Sequence, residues 1–123
     1  MSTLEQHNPT KEVVLAKAIV KASEQLGLKQ AEVASAMGIH RTAFSRLKSR
    51  PSLDPASKEA ELALIIISVA RALFALTGGD ESWIKRFMRS PNKRTGGIPA
   101  EQIASIEGLM SVRRFVDAIR GKV

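Results

Sequence analysis

Leu62 to Leu76, LALIIISVARALFAL, is the most apolar run in this 123-residue chain, and only Ser68 and Arg71 interrupt it. Apolar side chains fall all the way round a helical projection, so the segment is expected to be a helix buried on every face. It would be about 22 Å long at ~1.5 Å per residue, which suits the axle of a small domain. Glu59 and Glu61 ahead of it favour a helix N-terminus, and Gly78-Gly79 supplies the stop. A membrane span is the competing reading. It asks for ~20 apolar residues, whereas this run is shorter and carries a central Arg. So apolar a helix is too much for a small chain to bury alone, so the expectation is a homodimer through 62–76 and the C-terminal helices.

A chain of this length holds one modest core, or two small subdomains sharing one. Hydrophobic residues make up 44% and charged residues 25%, the balance of a folded globular protein. With one Trp, four Phe and no Tyr, that core must be aliphatic. The absence of Cys removes disulfides and thiolate metal sites and fits a reducing cytoplasm. The first ten residues, MSTLEQHNPT, are polar and lack the apolar stretch of a secretory signal. Net charge is +7 and it is clustered. Between Lys29 and Arg50, Glu32 alone opposes Lys29, Arg41, Arg46, Lys48 and Arg50, and between Ile84 and Arg94 there is no acid at all. Such clusters favour polyanionic partners; an ordinary solvated basic surface is the competing reading.

Residues 1–10 read as a frayed tail, with Thr10 a candidate cap for a helix over Lys11 to Leu26 whose stripe is Val14, Leu15, Ala18, Ile19, Ala22 and Leu26. Gly27 ends it. A short helix over Gln30 to Met37, a turn at Gly38 and a second short helix over His40 to Ser49 follow. Val33, Ala34 and Met37 face inward on the first, and Ile39, Phe44 and Leu47 on the second. Ala34 is small where crossing helices must approach, and Gly38 supplies the positive φ of a tight turn. This is a helix-turn-helix. Gln30, Ala34, Gly38, Ile39, Phe44 and Leu47 carry a resemblance to the Xre-type DNA-binding domains over about twenty residues.

The exposed side of the second short helix offers His40, Arg41, Thr42, Ser45 and Arg46 to base edges in a major groove, where Arg can bridge two acceptors of guanine. Lys29, Gln30, Lys48 and Arg50 lie where phosphates would be held. An αα-hairpin with a merely solvated outer face is the competing reading. His40 reads as a groove or surface residue rather than a metal ligand: the only other His is His7, in the tail, and no acidic cluster surrounds it. No metal site is expected. The linker Arg50 to Pro55 is bounded by prolines. Domains are therefore expected at 1–54 and 55–123, an all-α chain whose helix-turn-helix bundle is joined through the buried apolar helix to a small C-terminal helical domain.

Beyond Gly79, Asp80 can cap a helix running to about Arg89, with Trp83, Ile84, Phe87 and Met88 inside and Lys85, Arg86 and Arg89 outside. Pro99 suits a helix start, Ile103 and Ile106 form that short helix's apolar side, and Gly108 is expected to end it. A last helix shows Val112, Phe115, Val116 and Ile119 at core spacing. Trp83 and Phe115 are read as core. The Gly pair before Pro99 lacks a P-loop's spacing and following Lys, so it is no nucleotide cradle.

In order, Trp83, Pro91-Asn92, Gly96-Gly97, Pro99, Glu107-Gly108, Val112, Phe115, Ile119 and Gly121 make this half similar to the toxin-binding domain of the Xre/MbcA/ParS antitoxins. One departure is Lys93-Arg94-Thr95, where an apolar residue commonly precedes the Gly pair. The resemblance implies an antitoxin of a type II toxin–antitoxin system. It would bind and block a RES-domain toxin, an enzyme that consumes NAD, and repress its own operon through double-stranded DNA. It further implies toxin-facing residues Arg89, Asn92, Lys93 and Arg94 in the loop and Arg113, Arg120, Gly121, Lys122 and Val123 at the end. A solubilising Gly-rich connector is the competing reading of the loop. A stand-alone dimeric Xre-type repressor is the alternative function. No nucleophile, base and orienting group can be assembled, so an enzyme is not expected and no cofactor is implied.

Overall fold

The computed structural model describes residues 9–121. The tail over 1–8, with His7, and the terminal Lys122 and Val123 lie outside the described residues. Seven helices and no strand are present among the described residues: α1 (Pro9–Leu26), α2 (Gln30–Met37), α3 (Arg41–Ser49), α4 (Lys58–Thr77), α5 (Glu81–Arg89), α6 (Pro99–Gln102) and α7 (Ile106–Gly121).

α1 buries Leu15, Ala16, Ile19, Ala22 and Leu26 at helical spacing, but Val14 is 59% exposed and so falls off the expected stripe. The helix starts at Pro9, which places Thr10 inside its first turn rather than at its cap. Gly27 ends it in the left-handed region at φ +70°. The α2–α3 hairpin closes over Val33, Ala34, Met37, Phe44 and Leu47, all buried, with Ile39 packed against them. Gly38 takes φ +75°, and the next N–H, that of Ile39, donates to the Ala34 carbonyl at 3.0 Å, closing the α2 end. The linker to α4 is tied down. Leu53 is buried, its N–H donates to the Glu12 carbonyl at 3.2 Å, and the Ser52 hydroxyl donates to the Glu12 carboxylate at 3.1 Å.

Ser57 caps α4 by accepting the Ala60 N–H at 3.1 Å, and Gly78 ends it in the left-handed region. α4 runs between α1 and α7, its most extensive partners, with α2 and α5 also against it. By length and composition it would serve as a membrane span. Its small positions Ala60, Ala63, Ala70 and Ala72 and its large ones Ile66, Ile67, Val69 and Leu73 are buried among the other helices, the setting of a core helix. Burial is not complete, however. Leu64 (51% exposed) and Phe74 (43%) share a face with exposed Arg71 and Ala75, because the neighbours enclose α4 on its other sides only.

Asp80 caps α5, accepting the Trp83 N–H at 3.1 Å. Ile84 and Met88 are buried beneath it, whereas Trp83 is 38% exposed and Phe87 only half-buried. Trp83 is therefore a surface residue and not core. α6 begins at Pro99 as its fixed φ and missing N–H allow. Two expectations fail beyond it. Gly108 lies in the first turn of α7 rather than at the end of α6, and Ile106 is 67% exposed. α7 turns back sharply on α6, so that a Cβ at position 108 would collide with the Gln102 carbonyl. α7 then buries Leu109, Val112 and Val116 against the core, leaving Phe115 and Ile119 half-buried.

Candidate DNA-binding and toxin-binding surfaces

His40 sits just before α3 in extended conformation and caps it: its Nδ1 accepts the Thr42 N–H at 3.3 Å and lies 3.0 Å from the Thr42 hydroxyl. To accept, Nδ1 must carry no proton, which leaves Nε2–H as the ring's donor. Arg41, Thr42, Ser45 and Arg46 are exposed on the first turns of α3, and Lys48 and Arg50 at its end. Among the described residues none of Arg41, Arg46, Lys48 and Arg50 is held in an ion pair, and no acid lies on the helix. Lys29, also exposed, stands at the start of α2, where its backbone N–H donates to the Glu32 carboxylate at 2.8 Å; Gln30, beside it, is half-buried. The hairpin thus presents a cationic helix with free hydrogen-bonding ends.

The segment between α5 and α6 is a built loop. Asn92 and Gly97 pair through both backbone groups, at 2.9 and 3.2 Å, and the Asn92 side chain accepts the N–H groups of Arg94 (2.8 Å) and Thr95 (3.1 Å). Gly96 supplies φ +92° at the turn. Thr95, just before the Gly pair, is buried, and its carbonyl accepts from Gln102 Nε2 and, at 3.1 Å, from the Ser111 hydroxyl. α6 and α7 therefore hold the loop from beneath. Lys93 and Arg94 are exposed at its tip. Asn92 is engaged in forming the loop. Thr95, Gln102 and Ser111 are not among the residues the sequence pointed to, because their hydrogen bonds join three separate segments and leave no local signal.

Arg89, grouped on sequence with the toxin-facing residues, reaches the other way. Its guanidinium meets the Glu32 carboxylate in a fork, Nη1 to Oε2 at 2.6 Å and Nη2 to Oε1 at 2.7 Å, and Nη2 also donates to the Gly27 carbonyl at 2.6 Å. The end of α5 is thereby fastened to the α1–α2 turn. The Arg89 hydrogen bonds hold the Glu32 carboxyl below its ordinary value of 4.5, and the carboxylate raises the Arg89 pKa in return. A depressed carboxyl pKa contributes stability that is present above the ordinary value and lost as pH falls through the folded one. Thermal melts of Glu32→Gln should lie below the wild type at about pH 7, and the gap should narrow as the pH falls below the ordinary carboxyl value of 4.5. At the other end, Arg113 pairs with Asp117 at 3.4 Å, and Arg120 and Gly121 are exposed at the tip of α7.

Comparison with protein families matches both halves of the chain. Residues 5–67 match the antitoxin Xre-like helix-turn-helix domain. Residues 70–122 match the antitoxin Xre/MbcA/ParS C-terminal toxin-binding domain. The chain belongs to the Xre/MbcA/ParS antitoxins. No curated protein matches it at a significant level. In this antitoxin the two matches meet inside α4, so one helix supplies core to both. The exposed basic helix of the antitoxin lies within the first match, and the built loop and α7 within the second.

Proposed function

We propose that the antitoxin neutralises a RES-domain, NAD-consuming toxin in the cytoplasm and represses its own operon by binding double-stranded DNA through α3. The observation that carries this reading is the pairing of two exposed cationic surfaces, one in each matched domain: Arg41 and Arg46 on α3, Lys93 and Arg94 at the loop tip. Lys93, Arg94, Arg113, Arg120, Gly121, Lys122 and Val123 are the groups proposed to make the toxin contact, their cationic members suited to carboxylates on the toxin. Arg89 and Asn92 serve it indirectly, by fixing α5 and the loop. The test is co-purification with the product of the neighbouring gene, followed by an NAD-consumption assay of that partner alone and with the antitoxin added. A stable complex that silences NAD loss supports the reading. No complex, or a complex without inhibition, leaves a stand-alone dimeric repressor.

A homodimer through α4 and the C-terminal helices belongs to the same proposal. Val14, Leu64, Ile67 and Arg71 line a groove of about 360 Å³ between α1 and α4, and exposed Phe74 continues the same α4 face. Leu64→Lys should raise the dimer dissociation constant at least tenfold, since burying one such side chain stabilises by about 1.5–3 kcal/mol and each copy loses one. Sedimentation equilibrium reads this directly. A wild-type monomer at micromolar concentration would sink the dimer.

A further inference from the structure

We propose that the half-exposed aromatic stack of Trp83, Phe87 and Phe115 is the apolar anchor of the toxin interface, and that it receives an apolar side chain flanked by carboxylates on the toxin. This rests on the reading of the chain as a toxin-binding antitoxin and adds the surface that reading lacks. Trp83 and Phe87 are one helical turn apart on α5, and their rings lie 5.7 Å apart within 4° of parallel. Phe115 arrives from α7 and extends the stack, 5.9 Å from Phe87 and within 8°. Buried Ile84 and Met88 set the roll of α5, so the rings are presented in one orientation before any partner arrives. Trp83 closes the stack at 38% exposure, and with Arg86, Phe87 and Ser90 it lines a shallow crevice of about 190 Å³. A rigid, half-exposed aromatic beside an arginine is the composition of an interface hot spot, and rigid side chains lose little entropy on binding.

Charge selects the occupant. Every ionisable side chain from Ile84 to Arg94 is basic; Lys85 and Arg89 are paired with Glu81 and Glu32, and Arg86 at the crevice is exposed with no ion pair among the described residues, as are Lys93 and Arg94. A second copy docking here by two-fold symmetry would set this basic segment against itself. An acidic-rimmed toxin surface would not meet that repulsion. All three rings fall within the match to the toxin-binding domain, whereas the helix-turn-helix lies in the other.

Because Trp83 is the sole tryptophan, antitoxin labelled with 5-fluorotryptophan gives one fluorine resonance that reports on this surface in the unaltered sequence. Three titrations separate the occupants: the toxin from the co-purification above, operator DNA, and dilution of the antitoxin alone. The expected result is a shifted resonance, with its H2O/D2O solvent shift suppressed, only in the toxin complex. Trp83→Ala and Arg86→Glu should each raise the toxin dissociation constant at least tenfold while melting within a few degrees of the wild type. An inhibited toxin complex in which the resonance is unmoved and Trp83→Ala binds as tightly overturns the surface while leaving the antitoxin function intact. A resonance that moves on DNA addition or on self-dilution instead overturns it as well. Failure to form any complex overturns the function and the surface together.

Discussion

The double substitution Arg41→Ala, Arg46→Ala should abolish operator binding and leave toxin inhibition intact, and deletion of Arg120 to Val123 should do the reverse. Both arginines are exposed on α3, and none of their contacts supports the core. Each arginine that reads a guanine discriminates by about 1–3 kcal/mol, so the pair accounts for roughly 30- to 20,000-fold in affinity. Fluorescence anisotropy with operator DNA at several salt concentrations measures this, and a parallel substitution of Lys48 separates the roles. A phosphate contact weakens all sequences about equally and flattens the salt dependence, whereas a base contact relaxes specificity at one position. The terminal deletion removes the cationic end of α7 beyond its last buried residue, Val116, so the helical core should remain. If both lesions depress both activities equally, the division of labour between α3 and the C-terminal end is wrong.

Gly108→Ala should destabilise the chain by about 3 kcal/mol, a fall of about 10 °C in Tm for a domain of this size. The direction is informative because alanine normally favours a helix over glycine by about 1 kcal/mol. Here the new methyl group would meet the Gln102 carbonyl, a backbone group with no rotamer to escape into, as well as the Ser105 hydroxyl. That same hydroxyl accepts the Gly108 N–H at 3.0 Å, so pushing α7 away also disturbs the bond that starts it. Gly121, at the far end of the same helix, has nothing within 4 Å of an added Cβ, and Gly121→Ala should leave the melt unchanged or raised. Thermal denaturation of the two variants side by side distinguishes steric conflict from helix propensity. A neutral Gly108→Ala would mean that α6 and α7 approach less closely than described.

Several features of this chain were legible as local chemistry. The helix-turn-helix over 30–49 could be read because its signals are short-range: small Ala34, Gly38 at a positive φ, and apolar Phe44 and Leu47 at the right spacing, all buried or placed as their chemistry requires. Asp80 and Pro99 marked helix starts for the same reason, and Gly78 a helix end. The failures share a different cause. Periodicity says which residues occupy one side of a helix, but not whether another helix arrives to cover that side. Trp83 and Ile106 sit at apolar spacing and yet remain exposed, and Leu64 and Phe74 leave an open face on the most apolar helix of the chain.

By itself the sequence determined the all-α architecture, the two modules, their family, and the cationic character of α3 and of the segment from Ile84 to Arg94. Each follows from residue type and near-neighbour spacing along the chain. Only the tertiary structure decided what long-range pairing does with those residues. It turned Arg89 away from the loop into a fork with Glu32, 57 positions earlier in sequence. It buried Thr95 in the loop and brought Phe115 of α7 against Phe87 of α5, extending the Trp83–Phe87 pair into a half-exposed stack. No local pattern encodes these partners, because they depend on where α4 lets the other helices dock.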